Sequence, residues 1–230
     1  MLNTSNFINK HMKSLSILLR SFGSKLFNVD KFTTISQIGE AAKLHSTKLQ
    51  KDEVLDMFHK CFSIKNFNDL RTDQLIQPVI VAVEKHLPNV APAEAIQLVK
   101  RMIQLMYPKP EMWISLMSKC KEGIENFTAN DYYYLALAYQ GIVESKIYVD
   151  KICIGKEIMR KAAENVKCYS SRTLVEIASM RKLTKENKNA LEVIFEEIQR
   201  NVNDLHSSEV NLLMQVTVIG SPGIWEEQYI

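Results

Sequence analysis

The stretch FTANDYYYLALAY (residues 127–139) reads as the opening of a helix. An apolar Phe127 precedes Thr128, a hydroxyl placed to accept from first-turn amides, and Asp131 follows inside that turn, where the helix dipole favours negative charge. Three other stretches share the plan: VAPAEAIQLVKRM from Val90, YSSRTLVEIASMR from Tyr169 and LHSSEVNLLMQVT from Leu205. Each sets an apolar residue before a small or hydroxyl-bearing pair and brings another apolar residue eight positions on, at Leu98, Leu135, Ile177 and Leu213. Their starts lie 37, 42 and 36 residues apart. Ser170 and Ser207 are the expected capping hydroxyls of two of them, Glu209 is a further first-turn acid, and Pro92 suits a first helical position.

A second helical run follows each of the first three, at 111–124, 150–166 and 185–202. Ile152, Met159, Ala163 and Val166 fall on one side of the second run, and Leu191, Ile194, Phe195 and Ile198 on one side of the third. A helical hairpin of this length cannot bury both apolar faces by itself, so successive hairpins are expected to stack. The predicted fold is all-α, a short α-solenoid of stacked hairpins with a period of about 37 residues. Upstream the pattern is irregular: 34–44 and 52–62 predict one hairpin and 73–86 one helix, with Pro78 near its first turn or at a kink. PNVAP (88–92) and YPKP (107–110) read as turns. The chain then divides into an N-terminal extension at 1–29, irregular helices at 30–89, hairpin repeats at 90–220 and a tail at 221–230.

Composition agrees with helices: 230 residues, 46% hydrophobic, contain only seven Gly and six Pro. The net charge of +3 conceals a polarity. Residues 151–188 hold ten basic and four acidic side chains, whereas 189–230 hold Arg200 against seven acids. Any anion-seeking surface is therefore expected in 151–188. The first 29 residues contain no acid and mix Leu18, Leu19 and Phe22 with Lys10, Lys13, Arg20 and several serines, the composition of a mitochondrial transit peptide. Arg20-Ser21-Phe22 before Gly23 is similar to a matrix-protease cleavage site, and the competing reading is a retained basic helix. No apolar run has the length of a membrane span. Cys61, Cys120, Cys153 and Cys168 lack the spacing of a disulfide framework or a zinc site, which points to a reducing compartment and no metal. Nucleotide-binding loops, nucleophile elbows and H-E-x-x-H are all missing, and Glu196-Glu197 reads as a solvated helix face, so neither catalysis, a cofactor nor a small-molecule substrate is expected.

The period and the form apolar-small-small-x-x-apolar before a Leu or Ile, at Phe127 and Tyr169, resemble the heptatricopeptide or FAST-kinase-like helical repeats of organellar RNA-associated proteins. The resemblance covers 90–218 and fades over 32–86, and nothing after Leu205 has the length of the RAP domain that often ends such chains. It implies a repeat-only protein of the mitochondrial matrix that binds RNA or serves as a scaffold in an organellar ribosome. Comparison of the copies sorts the tyrosines. Tyr132 shares a column with Ala95, Leu174 and Val210 and reads as core; Tyr133, with Ile96, Val175 and Asn211, reads as the contact between hairpins. Tyr134, with Gln97, Glu176 and, in the last copy, Leu212, reads as a surface ring able to stack on a base, the competing reading being a lone surface aromatic or part of a protein interface. The candidate RNA-binding residues are Lys100, Tyr134, Lys156, Arg160, Lys161, Arg172, Arg181 and Lys182. The expected role is a structural, RNA-contacting mitochondrial ribosomal protein binding rRNA and its protein neighbours; the alternative is a protein–protein scaffold or accessory subunit of a respiratory-chain or ATP-synthase complex.

Overall fold

A helix leaves its first amides without intrahelical partners, and this chain satisfies them in one recurring way. The third helical residue returns a side-chain oxygen to the amide just before the helix. Gln37 accepts from Thr34 N (3.3 Å), Glu53 from Gln50 N (3.0 Å) and Glu94 from Ala91 N (2.7 Å). Asp131 accepts from Thr128 N (2.8 Å) and Glu209 from His206 N (2.6 Å). At Ser170 the same position is Thr173, and there only the forward bond forms, Thr173 N donating to Ser170 Oγ at 3.2 Å.

The computed structural model describes residues 26–106, 109–144, 154–180, 183 and 187–220, with backbone alone at 67, 143–144 and 216–220. No strand occurs among the described residues. Their helices are α1 (Ile35–Leu44), α2 (Lys51–Ile64), α3 (Phe67–Thr72), α4 (Gln77–His86), α5 (Pro92–Leu105), α6 (Pro110–Glu122), α7 (Ala129–Glu144), α8 (Gly155–Glu164), α9 (Ser171–Ala178), α10 (Lys188–Arg200) and α11 (Ser207–Gly220). The expected targeting segment and C-terminal tail, as well as Tyr107-Pro108, lie outside the described residues, apart from 26–29.

The helices fall into two compact units. One contains α1, α2, the 3-10 turn Gln74–Ile76 and the chain to Val83. In it α1 packs on α2 and on that turn, around Ile38, Met57, Phe58, Cys61, Ile76 and Val79. Glu53, buried at 2% exposure, also accepts from Phe27 N (3.1 Å), which ties the entering chain to α2.

The other unit contains α3 and the described residues from Glu84 onward. Here α5 touches α3, α6 and α7; α7 touches α8 and α9; α9 touches α10 and α11; and α8 touches α10. Equivalent positions meet in its interior. Ala95, Tyr132 and Leu174 are buried, as are Leu98, Leu135 and Ile177, while Leu116, Met117, Ile158, Met159, Ile194 and Ile198 supply the second helices' side. Tyr132 keeps its hydroxyl satisfied by donating to the Ile124 carbonyl at 2.6 Å. Gly155 admits the Tyr139 ring, which would lie 2.9 Å from an added Cβ.

Several boundaries differ from the sequence expectation for one reason. Ile124, Val166 and Val202 do not end their helices. Each opens a 3-10 turn, Ile124–Asn126, Val166–Cys168 or Val202–Asp204, and is followed by one extended apolar residue, Phe127, Tyr169 or Leu205. Leu87–Asn89 and Val90 repeat the device before α5. Residues 73–86 are likewise split, into the turn Gln74–Ile76 and α4, with Pro78 in the first turn where no amide is needed. The cap of α11 is His206 rather than Ser207, because the residue aligned with Thr128 is His206 and its amide is the one Glu209 accepts. Val210 is 38% exposed rather than core: the described residues place no second helix beside α11 as α6, α8 and α10 stand beside α5, α7 and α9.

Two glycines should respond to alanine with opposite signs. At Gly39 a Cβ would stand 2.4 Å from the Leu75 backbone oxygen, so Gly39→Ala is expected to cost about 1–3 kcal/mol as overpacking. Gly141 is exposed in α7 with nothing within 4 Å of an added Cβ, so Gly141→Ala is expected to add about 0.5–1 kcal/mol of stability. Urea-unfolding midpoints decide both, and an unchanged midpoint for Gly39→Ala contradicts the close approach.

Candidate nucleic-acid interface

The first helices of the second unit present a connected polar and aromatic chain. Lys100 on α5 reaches Asp131 on α7, Nζ to Oδ1 2.6 Å, while Asp131 Oδ2 accepts from the Thr128 hydroxyl at 2.7 Å. The same ammonium lies 5.6 Å from the centre of the Tyr134 ring, a cation–π distance. Tyr133 meets Tyr134 edge-on at 5.5 Å and donates its hydroxyl to Glu176 on α9. Arg172 closes the chain, its Nε 3.0 Å from Glu176. Tyr133 thus makes a contact between hairpins, and burial, with Glu176 as acceptor, pushes its phenol above the ordinary value. Tyr134 is half-buried rather than free at the surface.

Across the following hairpin, Arg160 and Lys161 on α8 converge on two acids. Arg160 holds Glu125, in the turn before α7, at 2.9 Å and also pairs with Glu164; Lys161 pairs with Glu125 and lies 3.2 Å from Glu164. Lys161 first, and Arg160 with it, holds the Glu125 carboxyl below its usual range. Lys156, one turn earlier on α8, is exposed and carries no ion pair among the described residues. Arg181 and Lys182 lie outside the described residues.

Of the sequence candidates, then, Lys100 and Tyr134 come together, Arg160 and Lys161 come together, Arg172 joins the tyrosine chain, and Lys156 has no ion pair among the described residues. The residues that sequence reasoning missed are the acids: Glu125, Asp131, Glu164 and Glu176 bind four of the five candidate cations among the described residues. Glu164 and Glu176 could have been found from their i,i+4 spacing to Arg160 and Arg172. Glu125 and Asp131 are brought in only by packing, from 35 residues before Arg160 and 31 after Lys100.

Clefts of about 600 and 570 Å³ flank this region. The first runs between α8 and α10 past Arg160, Glu164, Ala190 and Val193; the second passes Lys167, Arg172, Glu197 and His206. Paired cations with aromatic rings beside them can exchange a carboxylate for a phosphate and offer a face for stacking. No protein-family model, curated protein or solved structure matches the chain.

Asp131 should carry a pH signature. Burial opposes its charge, but bonds from Lys100 and Thr128 outweigh burial and hold its carboxyl below the usual range. A lowered folded-state value contributes stability that is present above the unfolded-state value, near pH ~3.9, and is lost as pH falls through the folded one. Asp131→Asn is expected to lose about 1.5–3 kcal/mol at neutral pH and to unfold with a flatter acid limb than the wild type. Thermal melts from neutral pH downward check this, and parallel acid limbs for the two proteins would remove the assignment.

Proposed function

We propose that residues 90–220 form a short α-solenoid with a period of about 37 residues, and that the chain works by binding. Its role is that of a non-enzymatic, RNA-contacting structural component of a mitochondrial ribonucleoprotein, the mitochondrial ribosome. The observation that carries this reading is the succession α5, α7, α9, α11, each touching the next and each entered through the same turn. That succession sets Gln97, Tyr134 and Glu176 at equivalent places with Lys100 and Arg172 beside them, a repeated stripe suited to an elongated ligand. A base stacked on Tyr134 would gain about 1–3 kcal/mol, and Lys156, Arg160 and Arg172 would supply phosphate contacts. The acid-free first 29 residues support the matrix. The buried thiols of Cys61 and Cys120, pushed up to about 12 by burial, stay protonated at neutral pH and support a structural rather than nucleophilic use.

The internal pairing of the cations favours a second reading, a protein scaffold in a respiratory-chain or ATP-synthase complex, to which exposed Met106 and Met214 would add apolar contact. Co-purification from mitochondria at about 50–200 mM salt separates the two. The RNA reading expects rRNA to co-sediment with the wild type and to be lost with Lys156→Gln, Arg160→Gln and Arg172→Gln combined. In free-RNA titrations the triple variant should flatten the slope of log K against log salt by about 2, at ~0.7 per phosphate contact to a single strand. Protein partners retained without RNA, in both wild type and variant, would decide for the scaffold.

A further inference from the structure

A phosphate approaching Arg160 or Lys161 meets carboxylates already paired with both, and at the sheltered Lys161 it must take the place of one of them. Glu125 lies against both cations and so does Glu164, making a four-charge cluster that is locally neutral. Glu125 is the most exposed member at 63%, Arg160 and Glu164 are about half exposed at 50% and 45%, and Lys161 is sheltered at 12%. Both acids stand where an incoming anion would stand against Lys161. Glu164 and Arg160 are also the acid and the cation that the described residues place in the wall of the cleft between α8 and α10, beside the uncharged Ala163, Asn187, Asn189, Ala190 and Val193. Lys156, on the same face of α8 one turn away, is exposed and has no such acid among the described residues, which makes it the point of first contact.

We infer that Glu125 and Glu164 are built-in competitors for the anion site at Arg160 and Lys161: carboxylates that occupy the phosphate positions and yield them to a polyanion bringing several phosphates at once. The inference rests on the RNA reading above and names a regulator of that surface. An isolated phosphate gains one contact and must break a pair whose partners the fold already holds near each other. A strand held first at Lys156 presents further phosphates at high local concentration and displaces both acids together. The acids thereby raise the discrimination of the surface for long polyanions over small ones.

The test is a titration of the full chain with a fluorescein-labelled 20-nucleotide oligouridylate between about 50 and 200 mM salt. Glu125→Gln and Glu164→Gln, singly and together, are compared with Glu192→Gln, which removes an equal charge from the exposed face of α10. The inference expects tighter binding in each single variant. In the double variant it expects a salt slope steeper than wild type by about 1.4, from two released cations at ~0.7 each, and inorganic phosphate that now competes. Glu192→Gln should change the affinity only slightly. If the wild type binds and the double variant moves no more than Glu192→Gln, the competition is overturned while the RNA reading stands. If only the double variant binds, the competition is supported and the RNA reading of the native chain falls. If neither binds, both fall.

Discussion

The unsatisfied amides at a helix start are the constraint around which this chain is organised. Glu53, Glu94, Asp131 and Glu209 each return a carboxylate to the amide one residue before their helix, and Gln37 does so with an amide oxygen. Before four of the helices a 3-10 turn and one extended apolar residue fix the direction of entry. Once entry is fixed, the 3.6-residue period brings the same positions inward each time. The Tyr132 column and the Leu135 column are buried in three successive first helices because those helices begin alike. Tyr169 fastens one entry to the previous helix: its hydroxyl donates to the Ala129 carbonyl at 2.9 Å.

The helical class and the main helices were legible in the sequence because an amphipathic period and a cap each leave a local trace. The reading of Tyr132 as core and of Tyr133 as a contact toward a later helix agrees with the burial of Tyr132 and the Tyr133–Glu176 bond, because the aligned stretches keep the same positions apolar. The 3-10 turns were not legible. Ile124, Val166 and Val202 continue the apolar rhythm of the preceding helix, so periodicity alone extends that helix through them, although it breaks at Gly123, Asn165 and Asn201. The place of Val210 was missed for another reason: a column predicts burial only where a second helix packs on that face, and the described residues place none there on α11.

Charge was read least well at the candidate site. Ten bases against four acids over residues 151–188 describes a linear excess, whereas the fold adds Glu125 from outside that window and sets it against two of the bases. The same holds for Lys100, whose partner lies 31 residues away. Local composition therefore locates cations but not the potential they produce, which depends on carboxylates delivered by other helices. Here the surface is better described as a set of ion pairs of differing exposure, from the sheltered Lys100–Asp131 pair to Arg172, 73% exposed, on Glu176.

Asp131 is where two kinds of bond share one side chain: one oxygen closes the start of α7 and the other reaches Lys100 on α5. Fraying of α7 and its separation from α5 are then a single event, and the cooperative unit extends across both hairpins. The cap of α9 has no counterpart, since Thr173 offers no carboxylate to either the preceding amide or an earlier helix. Hydrogen-exchange protection should therefore step down between α7 and α9, with Tyr133 to Glu176 and Tyr169 to Ala129 as the bonds that remain to hold the seam.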